Sequence, residues 1–302
     1  MALDSKQCEA FLAVVESGSF EQAAVALHIT PSAVSLRVRG LEARLGQPLI
    51  VRGRPSRATH AGRQLLQHLQ RARVMEHDLL AGIMGSDAGA DAGGDAFVPI
   101  TLAVNADSLA TWLLPTLSAA VQRERIAIEL LVDDQEHTHA LLESGVAHAC
   151  VSAQPHAMRG CVAEPLGRMR YRLVATPAFT VQWFGPRGIT RAAARRAPAV
   201  VFNRKDSLHA NALLHALGLQ ANAYVSHYVP ASEAFVAAIR LGLGYGMVPE
   251  LQIGEALERG ELVDVLPEAA TDVALYWHGW AQQPPRLERL AQRVMDVARQ
   301  LL

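Results

Sequence analysis

The chain has 302 residues, of which 50% are hydrophobic, 19% charged and 5% aromatic, a composition that can fill more than one core and excludes a mostly disordered or collagen-like chain. Its formal net charge is -1, so no chain-wide field draws it toward nucleic acid or an anionic membrane. The charge is uneven, however: residues 1–75 carry ten Lys or Arg against five acids, an excess of five positive charges, and the remainder carries an excess of six negative ones.

A basic segment joined to an acidic one suits polyanion binding by the N-terminal part alone. Cys8, Cys150 and Cys161 lie far apart with no C-x-x-C pair, which fits a reducing compartment, with the cytoplasm as the expected location. The N-terminal residues MALDSKQCEAF hold neither a basic n-region nor a cleavage site, and the most apolar stretch, 234–248, is short and interrupted by Arg240. Neither secretion nor a membrane segment is expected.

Phe11, Leu12, Val14 and Val15 form the stripe of a first helix, Ser17-Gly18-Ser19 breaks it, and 21–27 resumes a helical pattern with Ala23, Ala24 and Leu27 inward. After a short break, Thr30 is a good N-cap and Pro31 a good first residue for a third helix, with Val34, Val38, Leu41 and Leu45 at one-turn spacing and Gly46 as its stop. Two helices joined by so short a turn make a helix-turn-helix, whose second helix can enter a DNA major groove. Arg39 is placed to pair with Glu42. Residues 48–51 read as a strand, and Arg52, Arg54 and Arg57 sit on a Gly/Pro-shaped loop that returns at Thr59, a wing suited to phosphates or the minor groove.

From Ala61 a long helix carries one stripe, Leu65, Leu69, Ala72, Met75, Leu79 and Ile83, and the Gly/Ala/Asp-rich run 85–96 is a flexible boundary. Beyond it strands are predicted at 100–104, 126–132, 149–152, 171–175, 199–202, 223–228, 245–248 and 272–276. Helices are predicted at 108–120, 138–144, 207–217, 232–241 and 285–302. This alternation is α/β, and two α/β lobes with a cleft between them are the simplest assembly.

The run Gly18-Ser19-Phe20-Glu21-Gln22-Ala23-Ala24, then Thr30-Pro31-Ser32-Ala33-Val34-Ser35, Leu41-Glu42 and 46–52 resembles the winged helix-turn-helix signature of LysR-type transcriptional regulators. The resemblance implies a winged helix-turn-helix DNA-binding domain over 1–60, a linker and dimerisation helix over 61–84, a hinge at 85–96 and a two-lobed, periplasmic-binding-protein-like effector domain over 97–302. The first lobe is expected at about 97–168 and 266–302, the second at about 169–265. Stretches 104–112, 132–135, 202–206 and 242–250 are further similar to the ArgP/LysG branch, which senses lysine or arginine and controls basic amino-acid export. Double-stranded promoter DNA carrying an interrupted palindrome, RNA polymerase and a homodimer or homotetramer are the partners so implied, with no cofactor. The family often carries Gln where this chain has Leu36, and Leu can make only apolar contact with a base, for example a thymine methyl.

The candidate DNA-binding residues are Thr30, Ser32, Ala33, Ser35, Leu36 and Arg37 at the start of the recognition helix, with Arg52, Arg54 and Arg57 of the wing. The candidate effector-binding residues are Asp107, Ser108, Trp112, Asp133, Asp134, Asp206, Glu233 and Met247. Asp107-Ser108 opens a helix after a strand, which is either a plain N-cap or a seat for an amino acid's α-carboxylate, while the acids pair with a cationic side chain.

Other motifs carry less. The Gly242-x-Gly-x-Gly run follows a helix and precedes a strand, the reverse of the dinucleotide-binding order, and is better read as a tight turn whose strand, 247–249, borders the cleft. His137 and His139 face different sides of a helix start with no third ligand nearby in sequence, so no metal is expected. No G-x-S-x-G elbow, P-loop or H-E-x-x-H appears, which argues against an enzyme. A ligand-insensitive chromosomal or replication-origin DNA-binding protein shares the DNA module but needs no cleft.

Overall fold

The computed structural model describes residues 3–84, 97–133 and 138–302; the hinge expected at 85–96, together with Asp134 and His137, lies outside the described residues. Helix α1 (Ser5–Ser17) starts at Asp4, whose side chain accepts the Gln7 N–H, and stops at Gly18 with φ 68°. Helix α2 (Phe20–Ala26) is capped by Ser19, and α3 (Pro31–Leu45) by Thr30, whose hydroxyl accepts the Ala33 N–H. Each cap satisfies backbone donors that a helix start leaves unpaired, so short helices form at fixed positions. Phe11, Val14, Ala23, Ala24, Val34 and Val38 fill the core of this head.

Strands β1 (Ile50–Val51) and β2 (Arg57–Ala58) pair antiparallel as the wing. The long helix α4 (His60–Met84) leaves beneath it, and Gly62 passes so close to the Leu49 carbonyl that a Cβ there would lie 2.1 Å from the oxygen. The buried face of α4 is offset from the predicted stripe. Its buried apolar side chains, among the described residues, are Leu66, in the head core, and Val74, in the core of the second domain; of the stripe itself, Leu65 and Leu69 pack partly against the head core, while Ala72, Met75, Leu79 and Ile83 are exposed.

The second domain begins with β3 (Val98–Val104), followed by α5 (Ala106–Ser108), a π turn at Leu109–Leu113 and α6 (Leu114–Glu124). The helix thus begins two residues before the predicted 108. Asn105, rather than Asp107-Ser108, is the N-cap, its Oδ1 accepting the Ser108 N–H at 2.8 Å. The π turn precedes Pro115, which has no N–H to donate to the preceding turn. Then come β4 (Ile126–Val132), α7 (Thr138–Glu143), β5 (Ala149–Ser152) and β6 (Cys161–Ala175). Only 171–175 of β6 is predicted from the sequence, because Pro165 and Gly167 interrupt the strand pattern; Gly167, at φ 145°, lies against Leu302.

Helices α8 (Pro177–Trp183) and α9 (Arg191–Arg196) lead to β7 (Ala199–Val201), α10 (Leu208–Leu217), β8 (Ser226–Tyr228), α11 (Ser232–Arg240) and β9 (Gly246–Pro249). The chain ends with α12 (Glu250–Glu258), β10 (Val263–Asp264), β11 (Thr271–Trp280) and α13 (Pro285–Leu301). A seven-stranded sheet runs in the order β10-β6-β11-β5-β3-β4, with β9 also on β6. Residues 161–171 of β6 pair with β11 and 171–175 with β9 and β10, so one strand crosses from the first lobe to the second. The remaining pair, β7 and β8, is parallel. This shared strand hinges the lobes and leaves a cleft beyond the end of β3, the place where open α/β sheets put ligands.

Candidate functional site

Two surfaces carry the chemistry. On the head, α3 presents Ser32 and Leu36 to solvent, and Leu36 is 71% exposed. This Leu stands between polar neighbours, on the side of the helix away from the packed Val34, Val38 and Leu41. Thr30 is occupied with capping, its Oγ1 also lying 2.9 Å from Ser32 Oγ. Ser35 Oγ accepts from Arg39 Nη2 at 3.1 Å and from Arg52 Nη2 at 3.2 Å. The Arg52 guanidinium also lies over the Phe20 ring, 4.9 Å from its centroid. The wing's first arginine is thus held against the recognition helix, while Arg54 and Arg57 are exposed farther along. Arg39 does not pair with Glu42: Glu42 Oε1 accepts the Leu49 and Ile50 N–H groups and ties the wing to α3.

The second surface is the cleft between the lobes. On the first-lobe side Asn105, Ala106, Asp107 and Asp133 line it; Tyr171 of β6 forms its floor; and Phe202, Asp206, Leu208, Phe235, Met247 and Gln252 come from the second. The structure therefore brings Asp107, Asp133, Asp206 and Met247 together from the predicted set. Asp107 bridges the lobes: its Oδ2 accepts from Tyr171 OH at 2.8 Å and its Oδ1 from Ser232 Oγ at 2.7 Å. Asp206 opens α10, accepting the Leu208 N–H at 2.9 Å. Asn105 is buried, and among the described residues its Nδ2 has no partner. A buried donor without a partner costs about 1–3 kcal/mol, which a ligand acceptor would recover.

Three predicted residues are not brought to the cleft. Ser108 is fully buried with its N–H already taken by Asn105. Trp112 points into the core of the first lobe, turned inward in the π segment. Glu233 is exposed on α11, one residue and so about 100° around the helix from Ser232, which does reach Asp107. Sequence reasoning missed Asn105, Tyr171, Ser232 and Gln252. Only Asn105 had a local signal, as an Asn between a strand end and a helix start. Among the described residues no group of three His, Cys, Asp or Glu is arranged to hold a metal, and no helix is long and apolar enough to cross a membrane.

Residues 5–63 match the family described as bacterial regulatory helix-turn-helix protein, lysR family, and residues 99–299 match the LysR substrate binding domain. The chain is 39% identical over 301 residues to the HTH-type transcriptional regulator ArgP of Aeromonas salmonicida, covering 100% of this chain and 98% of that protein. The ArgP of Photobacterium profundum is 40% identical over 300 residues, 99% of this chain and 98% of that one. Among solved structures, ArgP from Mycobacterium tuberculosis superposes with a TM-score of 0.82 at 39% identity, covering 98% of both chains. Full-length LysG from Corynebacterium glutamicum, with bound effector Arg, gives 0.76 at 32% identity, again over 98% of both. These relatives are transcriptional regulators, not enzymes. With a winged helix-turn-helix at one end and a two-lobed ligand domain at the other, both matched over nearly their whole length, the chain belongs to the LysR family of DNA-binding transcriptional regulators.

Proposed function

We propose that this regulator senses a basic amino acid, lysine or arginine, in the interlobe cleft and controls an amino-acid exporter gene from an interrupted palindrome. The observation that carries the reading is the lining of the cleft: Asp107, Asp133 and Asp206 contribute three carboxylates, and among the described residues no Lys or Arg lines it. Such a site favours a cation over an anion. The ligand's α-ammonium fits Asp107, its α-carboxylate the Asn105 Nδ2, and its cationic end Asp206 and Asp133. The LysG relative, whose solved structure holds Arg as effector, supports the same ligand class. The carboxylate seat thereby moves from the Ser108 N–H to the Asn105 side chain.

The DNA-reading residues in this proposal are Ser32, Ser35, Leu36 and Arg37 of α3, with Thr30 and Ala33 shaping its first turn, and Arg52, Arg54 and Arg57 of the wing. Assembly is a homodimer or homotetramer through the exposed face of α4, in the cytoplasm, with RNA polymerase as the downstream partner. Because one chain presents one recognition helix, a two-fold dimer reads two half-sites. Ligand shifts the arrangement only by its differential affinity for two states, typically about 1 to 3 kcal/mol.

Calorimetric titration of the full chain with lysine, arginine, histidine and a neutral amino acid tests the effector. Heat with lysine or arginine that diminishes in Asp206→Asn supports the reading. An aromatic or organic acid that binds while both basic amino acids do not replaces it with a regulator of another effector. DNA binding indifferent to every ligand and to sequence points instead to a chromosomal or origin-binding role.

A further inference from the structure

A second cavity, of about 570 Å³, lies where the three units of the chain meet. That is far more than one water needs, about 30 Å³ in the liquid. Its apolar wall is Val15 of α1, Leu66 and Val74 of α4, and Leu131 and Val146 of the first lobe. Its polar groups are Glu16 from the head, Gln70 and Arg73 from α4, and Glu129 and His148 from the lobe. No residue of the interlobe cleft takes part.

The polar groups are of complementary kinds. Arg73 Nη1 and Glu16 Oε1 lie 4.0 Å apart, an ion pair too long for a hydrogen bond, with both side chains more than half exposed. Glu129 faces the same space; partial burial raises the Glu16 carboxyl, Arg73 opposes that, and the Glu129 charge adds to it, while Glu129 Oε2 accepts from Thr101 Oγ1. His148 Nδ1 accepts the Thr101 N–H at 3.0 Å, so the neutral ring carries its proton on Nε2 and offers one donor. Burial lowers the ring to about 4, which keeps it neutral near pH 7. Gln70 Oε1 is buried and, among the described residues, has no partner. Two carboxylates and an amide oxygen suit an ammonium, Arg73 and the His148 Nε2–H suit a carboxylate, and the aliphatic wall suits a hydrocarbon side chain.

We propose that this cavity is a second small-molecule site, for a neutral aliphatic amino acid, whose occupation holds the DNA-binding head against the first lobe. Its walls belong to α1, α4 and the lobe at once, so an occupant touches both the reading head and the ligand domain. Such a ligand favours the docked head only to the extent that it binds that arrangement better than an undocked one. The site is separate from the basic amino-acid cleft and does not depend on that assignment.

L-leucine is the probe. Calorimetry on the full chain is expected to show one leucine per chain, bound equally by the wild type and Asp206→Asn and unaffected by saturating L-arginine. Val146→Trp, which fills the cavity from its apolar wall, is expected to weaken leucine at least tenfold while arginine binding and circular dichroism stay unchanged. Glu16→Gln, a surface-tolerant change that removes one of the two negative charges facing the ammonium, is expected to weaken leucine about fivefold and provides a second reading if the tryptophan variant does not fold. The proposal is overturned if the wild type gives no leucine heat, if arginine displaces leucine, or if Asp206→Asn abolishes its binding. Leucine heat without arginine heat would retire the basic-effector reading and leave this one standing.

Discussion

The head and the ligand domain treat polar groups in opposite ways. In the head, the described side chains buried at the core are apolar apart from Ser56, and its arginines at 52, 54 and 57 stand in solvent. In the ligand domain, Asn105, Ser108, Thr138, His148, Ser152, His209, Ser232 and His278 are all buried. A protein that grips a polyanion needs exposed charge on a firm apolar body, since affinity comes from phosphate neutralisation. One that encloses a small polar ligand must place hydrogen-bonding groups inside, where each unsatisfied one is costly.

The widest test of this contrast is at the wing. Arg52, Arg54 and Arg57 changed together to Ala should weaken binding to all DNA sequences alike and lower the salt slope by about 0.9 for each phosphate no longer neutralised. An unchanged slope would remove the wing from the interface. Next is α4, where exposure separates assembly from folding. Leu79 is 61% exposed, so Leu79→Glu should leave the single chain folded yet cost a dimer several kcal/mol, roughly, by burying a charge in an apolar seam. A sedimenting dimer at micromolar concentration would place the seam elsewhere. Leu69 would be a poorer choice, because it packs against the head core.

The buried histidines make the ligand domain lose stability toward acid. His209 lies between Tyr224 and Tyr245, neither ring nitrogen has a partner among the described residues, and burial lowers it to about 4. The unfolded chain, with histidines near 6.5, then binds protons that the folded one refuses. Stability is therefore full above about pH 6.5 and is lost as the pH falls toward 4, by up to about 1.4 kcal/mol per pH unit for each such His. Thermal unfolding of His209→Phe should show a flatter slope across that window; an identical slope would mean another group sets it.

Asp206→Asn should cost lysine or arginine roughly 1.5 to 3 kcal/mol, tenfold or more in affinity, because a charge-assisted hydrogen bond gives way to a neutral one. An equal penalty for a neutral amino acid would show that the carboxylate only shapes the cleft. The smallest expected effect is at Leu36. Replacing each thymine of the half-site by uracil removes one methyl, worth about 0.8 kcal/mol, and the weakening should occur at one position in the wild type and vanish in Leu36→Ala. A wild-type protein indifferent to every substitution would exclude methyl reading.

The helix-turn-helix, the wing and most strand positions were legible in the sequence because their determinants are short-range. Thr30 caps, Pro31 starts and Gly46 stops α3 within one contiguous stretch, and the Arg-rich wing follows directly. The α/β alternation beyond residue 97 was equally local, and the strand interrupted by Pro165 and Gly167 was legible only in its last third. The cleft was legible in part. Asp107, Asp133 and Asp206 follow the ends of β3, β4 and β7 within a few residues, which a general rule of α/β sheets anticipates, whereas Met247 lies within β9.

What tertiary structure alone decided is which side chain of each neighbouring pair faces inward. Ser232 rather than Glu233 reaches Asp107, because adjacent helical residues differ by about 100° and only packing sets the phase. Trp112 turns to the core because it shares the inward face of its helical segment with Ser108, Thr116 and Ala120, all buried. Tyr171 and Gln252 reach the cleft through β6, a strand common to both lobes, and α12 beside it. Residues so far apart in the chain become neighbours through sheet register, which no local pattern records.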